Sequence, residues 1–161
     1  MTSKQLRLIP KNDGGDGKKH YWRVPPKLYD ALNEEFHFTF DPCPYPRPED
    51  WDGLRQDWGE RNFVNPPFKA EDGGPIGRWV LKSIQQRERG KLVVLLVTSD
   101  TSTTWFAKLR ELELRGAAEL RFIRGRVRFL EVEDRTPGPS PMMGALIAIL
   151  KPKSNGAYGR E

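Results

Sequence analysis

The sequence predicts an α/β domain whose sheet is mainly parallel and turns antiparallel at its C-terminal end. Three observations carry this reading. Apolar residues recur at helical spacing in three segments separated by strand-like runs. The run KLVVLLV (91–97) is apolar without alternation, the pattern of a strand buried on both faces. Two strand-like runs around Gly125 and a last apolar run, GALIAIL (144–150), follow the third helical segment.

A chain of 161 residues has the size of one domain and is long enough to bury a real core. The net charge of +5 and a pI near 9.4 suit a polyanionic partner without requiring one. The single Cys43 excludes an internal disulfide, which fits a reducing cytoplasm. No His or second Cys stands at ligand spacing from it, so neither a metal centre nor a thiol nucleophile is expected. No apolar run approaches the roughly 18 residues of a membrane span, and MTSKQLRLIP lacks the apolar stretch of a signal peptide. Residues 1–17 and 151–161 read as flexible ends around one domain spanning 18–150.

Each element has its own signal. Leu28, Tyr29, Leu32 and Phe36 form an apolar stripe entered through Pro25-Pro26, which predicts the first helix. HFTFD (37–41) predicts a strand ending at Asp41, and NFV (62–64) a second ending at Asn65. Ile76, Trp79, Val80 and Ile84 share a helical face, closed near Gly90. Trp105, Phe106, Leu109 and Leu112 mark a third helix, capped by Ser102 or Thr101 and stopped at Gly116. ELRFI (119–123) and RVRFL (126–130) predict a hairpin turning at Gly125. The rings of Trp79, Trp105 and Phe106 are expected in the core.

In open α/β sheets, ligands bind outside the carboxyl ends of the strands. Asp41, Asn65 and the loop TSDTSTT (98–104) all fall at such ends, although turns there also carry Asp, Asn, Ser and Thr as simple caps. Asn65-Pro66-Pro67-Phe68 is the most pointed of these stretches. Prolines lock φ and lack an amide donor, so the second strand must end in a rigid turn. The Asn65 side-chain oxygen and a backbone carbonyl held by the prolines could both accept hydrogens from one planar amino group, while Phe68 offers a face for a flat ring. Two acceptors on an aromatic amine favour a pyramidal nitrogen with its lone pair aimed at an electrophile, which is catalysis by positioning and electrostatics.

Asn65-Pro66-Pro67-Phe68 resembles the Asp/Asn-Pro-Pro-aromatic motif of S-adenosylmethionine-dependent amino-methyltransferases. The blocks YWRVPPKLYDALNEEFHFTFDPCP, DGLRQDWGERNFVNPPF, IGRWVLKS, VVLLVTSDTSTTWF, ELRFIRGRVRF and PSPMMGALIAIL resemble, in order, the phage-type DNA N-6-adenine methyltransferase family, over roughly residues 20–150. This resemblance implies a Rossmann-like methyltransferase domain with a reduced sheet and S-adenosylmethionine as cofactor. It implies no metal, DNA as partner (double-stranded rather than single-stranded), and the cytoplasm of a bacterial cell, with a phage or prophage source. Carried over by motif, it gives catalytic roles to Asn65, Pro66, Pro67 and Phe68, and cofactor contacts to Trp22, Pro25, Asp41, Pro42, Asp52 and Asn65. The sequence departs from the broader methyltransferase pattern after Asp41, where PCPYPRP replaces a glycine-rich loop. Only about twenty residues separate Asp41 from Asn62, too few for two further βα units.

Arg121, Arg124, Arg126 and Arg128 interleave with Phe122, Val127 and Phe129, so the apolar side can pack while the arginines face outward toward phosphates. Charge on an edge hairpin also discourages aggregation without any partner. The expected activity is methyl transfer to the exocyclic amine of adenine in DNA. The same chemistry on RNA or on a protein glutamine stands beside it, as does a non-catalytic nucleic-acid-binding protein on a degenerate scaffold.

Overall fold

Helices and strands alternate in the order α1 (Pro26–Phe36), β1 (Arg61–Val64), α2 (Ile76–Glu88), β2 (Leu92–Thr98), α3 (Thr104–Leu114), β3 (Ala118–Phe122) and β4 (Ala145–Leu150). They are seen in a computed structural model that describes residues 23–67, 75–129 and 144–154.

The four strands form one sheet in the order β1-β2-β4-β3. β1 and β2 are parallel, with Phe63 opposite Val94. β4 is antiparallel to both neighbours, pairing Leu95 with Ala148 on one side and Leu120 with Ala148 on the other. β1, β2 and β3 therefore run the same way, and β4 is the one reversed strand among them. The antiparallel strand is the C-terminal one, as the sequence suggests, but it lies between β2 and β3, so two of the three ladders are antiparallel and the sheet is mixed rather than mainly parallel.

Both faces of the sheet are covered, which is why KLVVLLV and GALIAIL lack alternation. β4 is buried at all six positions and β2 at its five central ones. On one face Val64, Val93 and Leu95 pack against Trp79 and Val80 of α2 and Leu109 of α3. On the other, Phe63, Val94 and Leu96 pack against Leu32 of α1 and against Val127 and Phe129. Leu95, Leu96, Leu146 and Leu150 have no accessible surface, and burying each contributes about 1.5–3 kcal/mol.

The helix ends follow from local chemistry. α1 begins with Pro26 at its first position, where the missing amide costs nothing. It ends at His37 in the left-handed region (φ 52), and Asn33 Oδ1 accepts the next amide, that of Phe38, at 3.0 Å. α3 is capped by Thr103, whose hydroxyl accepts the Phe106 amide at 3.2 Å. This replaces the expected cap at Ser102 or Thr101: Ser102 is turned instead to Asp100 Oδ1, with its Oγ at 2.6 Å. Gly116 (φ 72) ends α3, in backbone where other residues are strained.

Two predicted strands are not formed. HFTFD contributes a single parallel bridge, Phe40 to Asn62. The left-handed turn at His37 and Pro42 leave only Thr39 and Phe40 to reach β1, both bonded to the Arg61 carbonyl. RVRFL is not paired into the sheet at residues 126–129, and Leu130 lies outside the described residues. Its alternation nevertheless survives as burial: Val127 and Phe129 are buried and Arg126 and Arg128 exposed. The C-terminal boundary also shifts, since Lys151 donates to the Ala117 carbonyl and Lys153 to that of Arg87. The segment proposed as a flexible tail is tied to the domain over its first residues.

Candidate active site

Strand direction places one group of polar residues on a common rim. Phe40, β1 and β2 are parallel neighbours, so Asp41, Asn65 and the loop after Thr98 leave the sheet at the same edge. Gly144 and Ala145, entering β4, meet this edge as well: Ser99 donates to the Gly144 carbonyl at 2.9 Å and Ile123 to that of Ala145 at 3.1 Å.

Asp41 is held against β1 by the Phe63 amide, which donates to the Phe40 carbonyl at 3.1 Å. Its Oδ1 accepts the Cys43 amide at 2.8 Å. Burial pushes the carboxyl up to about 7, against the Cys43 N–H, which pulls it down. Tyr29 of α1 faces the same carboxyl. Its ring packs edge-on against Phe63, with centroids 5.2 Å apart, and its hydroxyl is held protonated by burial first and the Asp41 charge second. The sequence shows Tyr29 only as part of an apolar stripe. The signal it offers is that tyrosine alone in that stripe carries a polar tip. Cys43 stays a thiol, its ionisation opposed by burial and by Asp41, though favoured by Arg47.

The segment that stands where a glycine-rich loop was missing is built around two indoles. Trp51 Nε1 donates to the Pro42 carbonyl at 2.9 Å and Trp58 Nε1 to the Gly53 carbonyl at 2.8 Å. Trp58 stacks on Trp79 of α2 with centroids 6.4 Å apart. Gly53 sits so tightly here that a Cβ would lie 2.0 Å from the Pro42 oxygen. Asp52 is thereby brought beside the Pro42 backbone, but its carboxylate serves its own turn, accepting the Leu54 amide at 2.9 Å and pairing with Arg55 at 3.4 Å.

Asn65 is half-buried at the end of β1, Pro66 is buried and Pro67 half-buried, so packing as well as ring closure holds the turn. Pro25 is half-buried at the start of α1, where its carbonyl accepts the Leu28 and Tyr29 amides. Phe68 and Trp22 lie outside the described residues. In the loop after β2, Ser102 and Thr103 are spent on internal bonds to Asp100 and on capping α3. Asp41 and Asn65 are the expected site residues that the strand directions bring to one rim. Among the described residues no group of three or more His, Cys, Asp or Glu is placed to hold a metal, and no helix is long and apolar enough to cross a membrane.

The arginine segment divides. Arg121 is bound to Glu35 and Glu119, each at 2.6 Å, and its guanidinium lies over the Phe36 ring. Arg124, Arg126 and Arg128 are exposed.

One rim of this mixed α/β sheet thus carries the Asn-Pro-Pro turn and the half-buried Asp41 carboxyl. The family model for DNA N-6-adenine-methyltransferase (Dam) matches residues 12–158, and the chain belongs to that family. It is an enzyme that methylates N6 of adenine in DNA. No curated protein matches the chain.

Proposed function

We propose that S-adenosylmethionine binds along the rim between Asp41 and Asn65, and that the turn Asn65-Pro66-Pro67-Phe68 holds the adenine amine against it. The observation that carries this reading is the adjacency of the two groups, at the ends of neighbouring parallel segments about 4.8 Å apart. The donor set fits the cofactor: a half-buried carboxyl at the rim suits its ribose hydroxyls or its ammonium group. Asp41 would hold it, with Pro42, Pro25, Trp22 and Asp52 lining the approach and Asn65 closing it. When bound, the cofactor supplies an electrophilic methyl group, in a Rossmann-like domain reduced to the strands described.

The work of the chain is positioning. The Asn65 amide oxygen and a backbone carbonyl of the proline turn accept the two amine hydrogens. Their preorganisation weakens the delocalisation of the nitrogen lone pair into the ring. Phe68 stacks on the adenine, which in duplex DNA must first leave the base stack. No strong base is required, because the proton is lost to solvent once the nitrogen carries the methyl group. Double-stranded DNA is the substrate this reading favours, in the cytoplasm of a bacterial or phage-infected cell, with the exposed arginines of 124–128 on its phosphates.

The test is transfer from labelled S-adenosylmethionine to DNA, followed by nucleoside digestion. N6-methyladenine is the expected product. Asn65→Ala should lose on the order of 10²–10³ in rate at saturating cofactor while keeping the melting temperature. Activity within a few-fold of wild type would remove Asn65 from catalysis.

A further inference from the structure

Alternation along β3 turns Ala118, Leu120 and Phe122 toward one face. Ala118 and Leu120 are buried at 4% and 8% exposure, whereas Phe122 is 61% exposed and belongs to neither buried cluster. It is the one aromatic among the exposed large apolar side chains of the described residues, the others being Leu81 and Leu114. Its place is not arbitrary. β3 runs parallel to β1 and β2 through the reversed β4, so Phe122 leaves the sheet on the same rim as Asn65. The two are separated by three strand spacings, about 14 Å. Exposed Arg124, Arg126 and Arg128 follow at once, while the nearby acids Glu35 and Glu119 are both paired with Arg121. An exposed ring flanked by cations, on the rim that carries the catalytic turn, has the chemistry of a side chain that enters a base stack while its neighbours grip phosphates.

We propose that Phe122 is a wedge that inserts into the base stack of duplex DNA lying along this rim and opens it for the target adenine. The proposal rests on the methyl-transfer reading above and adds to it the residue that makes the duplex, rather than a free strand, usable.

The test uses wild type, Phe122→Ala and Phe122→Trp, labelled S-adenosylmethionine, and one plasmid lacking adenine methylation, offered intact and after heat denaturation. Removing the wedge should lower kcat/KM on the duplex by about tenfold or more, because the cost of unstacking is no longer offset. On the denatured plasmid, where bases are already unstacked, the loss should be less than about twofold. Phe122→Trp should retain duplex activity. An equal loss on both forms, or none on either, overturns the wedge. A wild-type chain that labels neither form fails the methyl-transfer reading instead, and the wedge is then decided by topoisomerase relaxation of the closed plasmid. A linking-number change produced by wild type and not by Phe122→Ala supports it, and identical topoisomer distributions overturn it.

Discussion

Arg121 grips Glu35 through two hydrogen bonds of 2.6 Å, Nη1 to one carboxylate oxygen and Nη2 to the other, and so ties the edge strand β3 to the end of α1. The guanidinium holds the Glu35 carboxyl below the ordinary carboxylate range by that hydrogen bond first and by its charge second. An arginine engaged on both faces of its fork by protein carboxylates has little left for a phosphate. Arg121→Ala should therefore leave the slope of log DNA affinity against log salt unchanged. Arg128→Ala should lower its magnitude by about 0.7–0.9, the release expected for one phosphate contact. Titrations at several salt concentrations separate the two. A reduced slope in Arg121→Ala would mean that the Glu35 pair opens when DNA binds.

Asp41 gives a pH signature with a definite sign. Its carboxyl titrates at about 7 when folded and near 3.9 when unfolded. Between those values the folded chain keeps a proton that the unfolded chain releases. The stability of the neutral carboxyl is thus fully present below about pH 4 and is lost as pH rises through about 7. Asp41→Asn, neutral throughout and still able to accept the Cys43 amide, should melt close to wild type near pH 5 and above it near pH 8. The same proton governs the ligand. Affinity for S-adenosylmethionine should rise with pH through about 7 in wild type and stay flat in Asp41→Asn. A wild-type affinity indifferent to pH would move the carboxylate out of the cofactor site.

The indole-stapled loop should be intolerant at Gly53. A methyl group there meets the Pro42 oxygen at 2.0 Å and the Trp79 ring at 2.9 Å, and one of these contacts is backbone that cannot swing aside. Gly53→Ala should destabilise the fold by about 1–3 kcal/mol, as overpacking typically does, and chemical denaturation reads the loss directly. A midpoint unchanged from wild type would show the loop to be loose.

The cap of α3 offers a cleaner, smaller change. Thr103→Ala removes the acceptor of the Phe106 amide and should cost about 0.5–2 kcal/mol, whereas Ser102→Ala should cost clearly less, since that hydroxyl serves only Asp100. Equal losses would assign the cap to the whole loop.

What the sequence reveals of this fold follows from how local each signal is. Apolar periodicity found α1, α2 and α3, and unbroken apolar runs found β2 and β4, because those patterns are written by burial itself. HFTFD looked like a strand because its rings alternate. Its rings do pack, Phe38 and Phe40 on different clusters, yet the left-handed turn at His37 and the following Pro42 leave too little extended chain for a ladder. RVRFL was misread for the same reason: alternation reports which side is buried, and partners are set by distant chain. The insertion of β4 between β2 and β3 has no local signature at all. At the site, Asn65 and Asp41 were legible as polar residues ending strands. Tyr29 was hidden in its own apolar stripe, the Arg121–Glu35 pair spans distant segments, and the exposure of Phe122 depends on which helix fails to reach it.

The reversed strand has a consequence for how the chain is made. As synthesis proceeds, β2 and β3 emerge before the segment that joins them, and until β4 arrives each displays an edge of unsatisfied amides and carbonyls. One edge is partly blunted in advance, since the Glu113 carboxylate accepts the Leu120 amide on the outer side of β3 at 3.3 Å, but the inner side can be closed only by β4. β4 is buried at every position and contributes ladders to both neighbours, so the sheet closes in a late, non-local step of the kind that slows folding. A nascent chain stalled before Ala145 would expose the apolar surfaces of a half-built sheet, which makes the last of the described strands to leave the ribosome the one that turns an aggregation-prone intermediate into an enzyme.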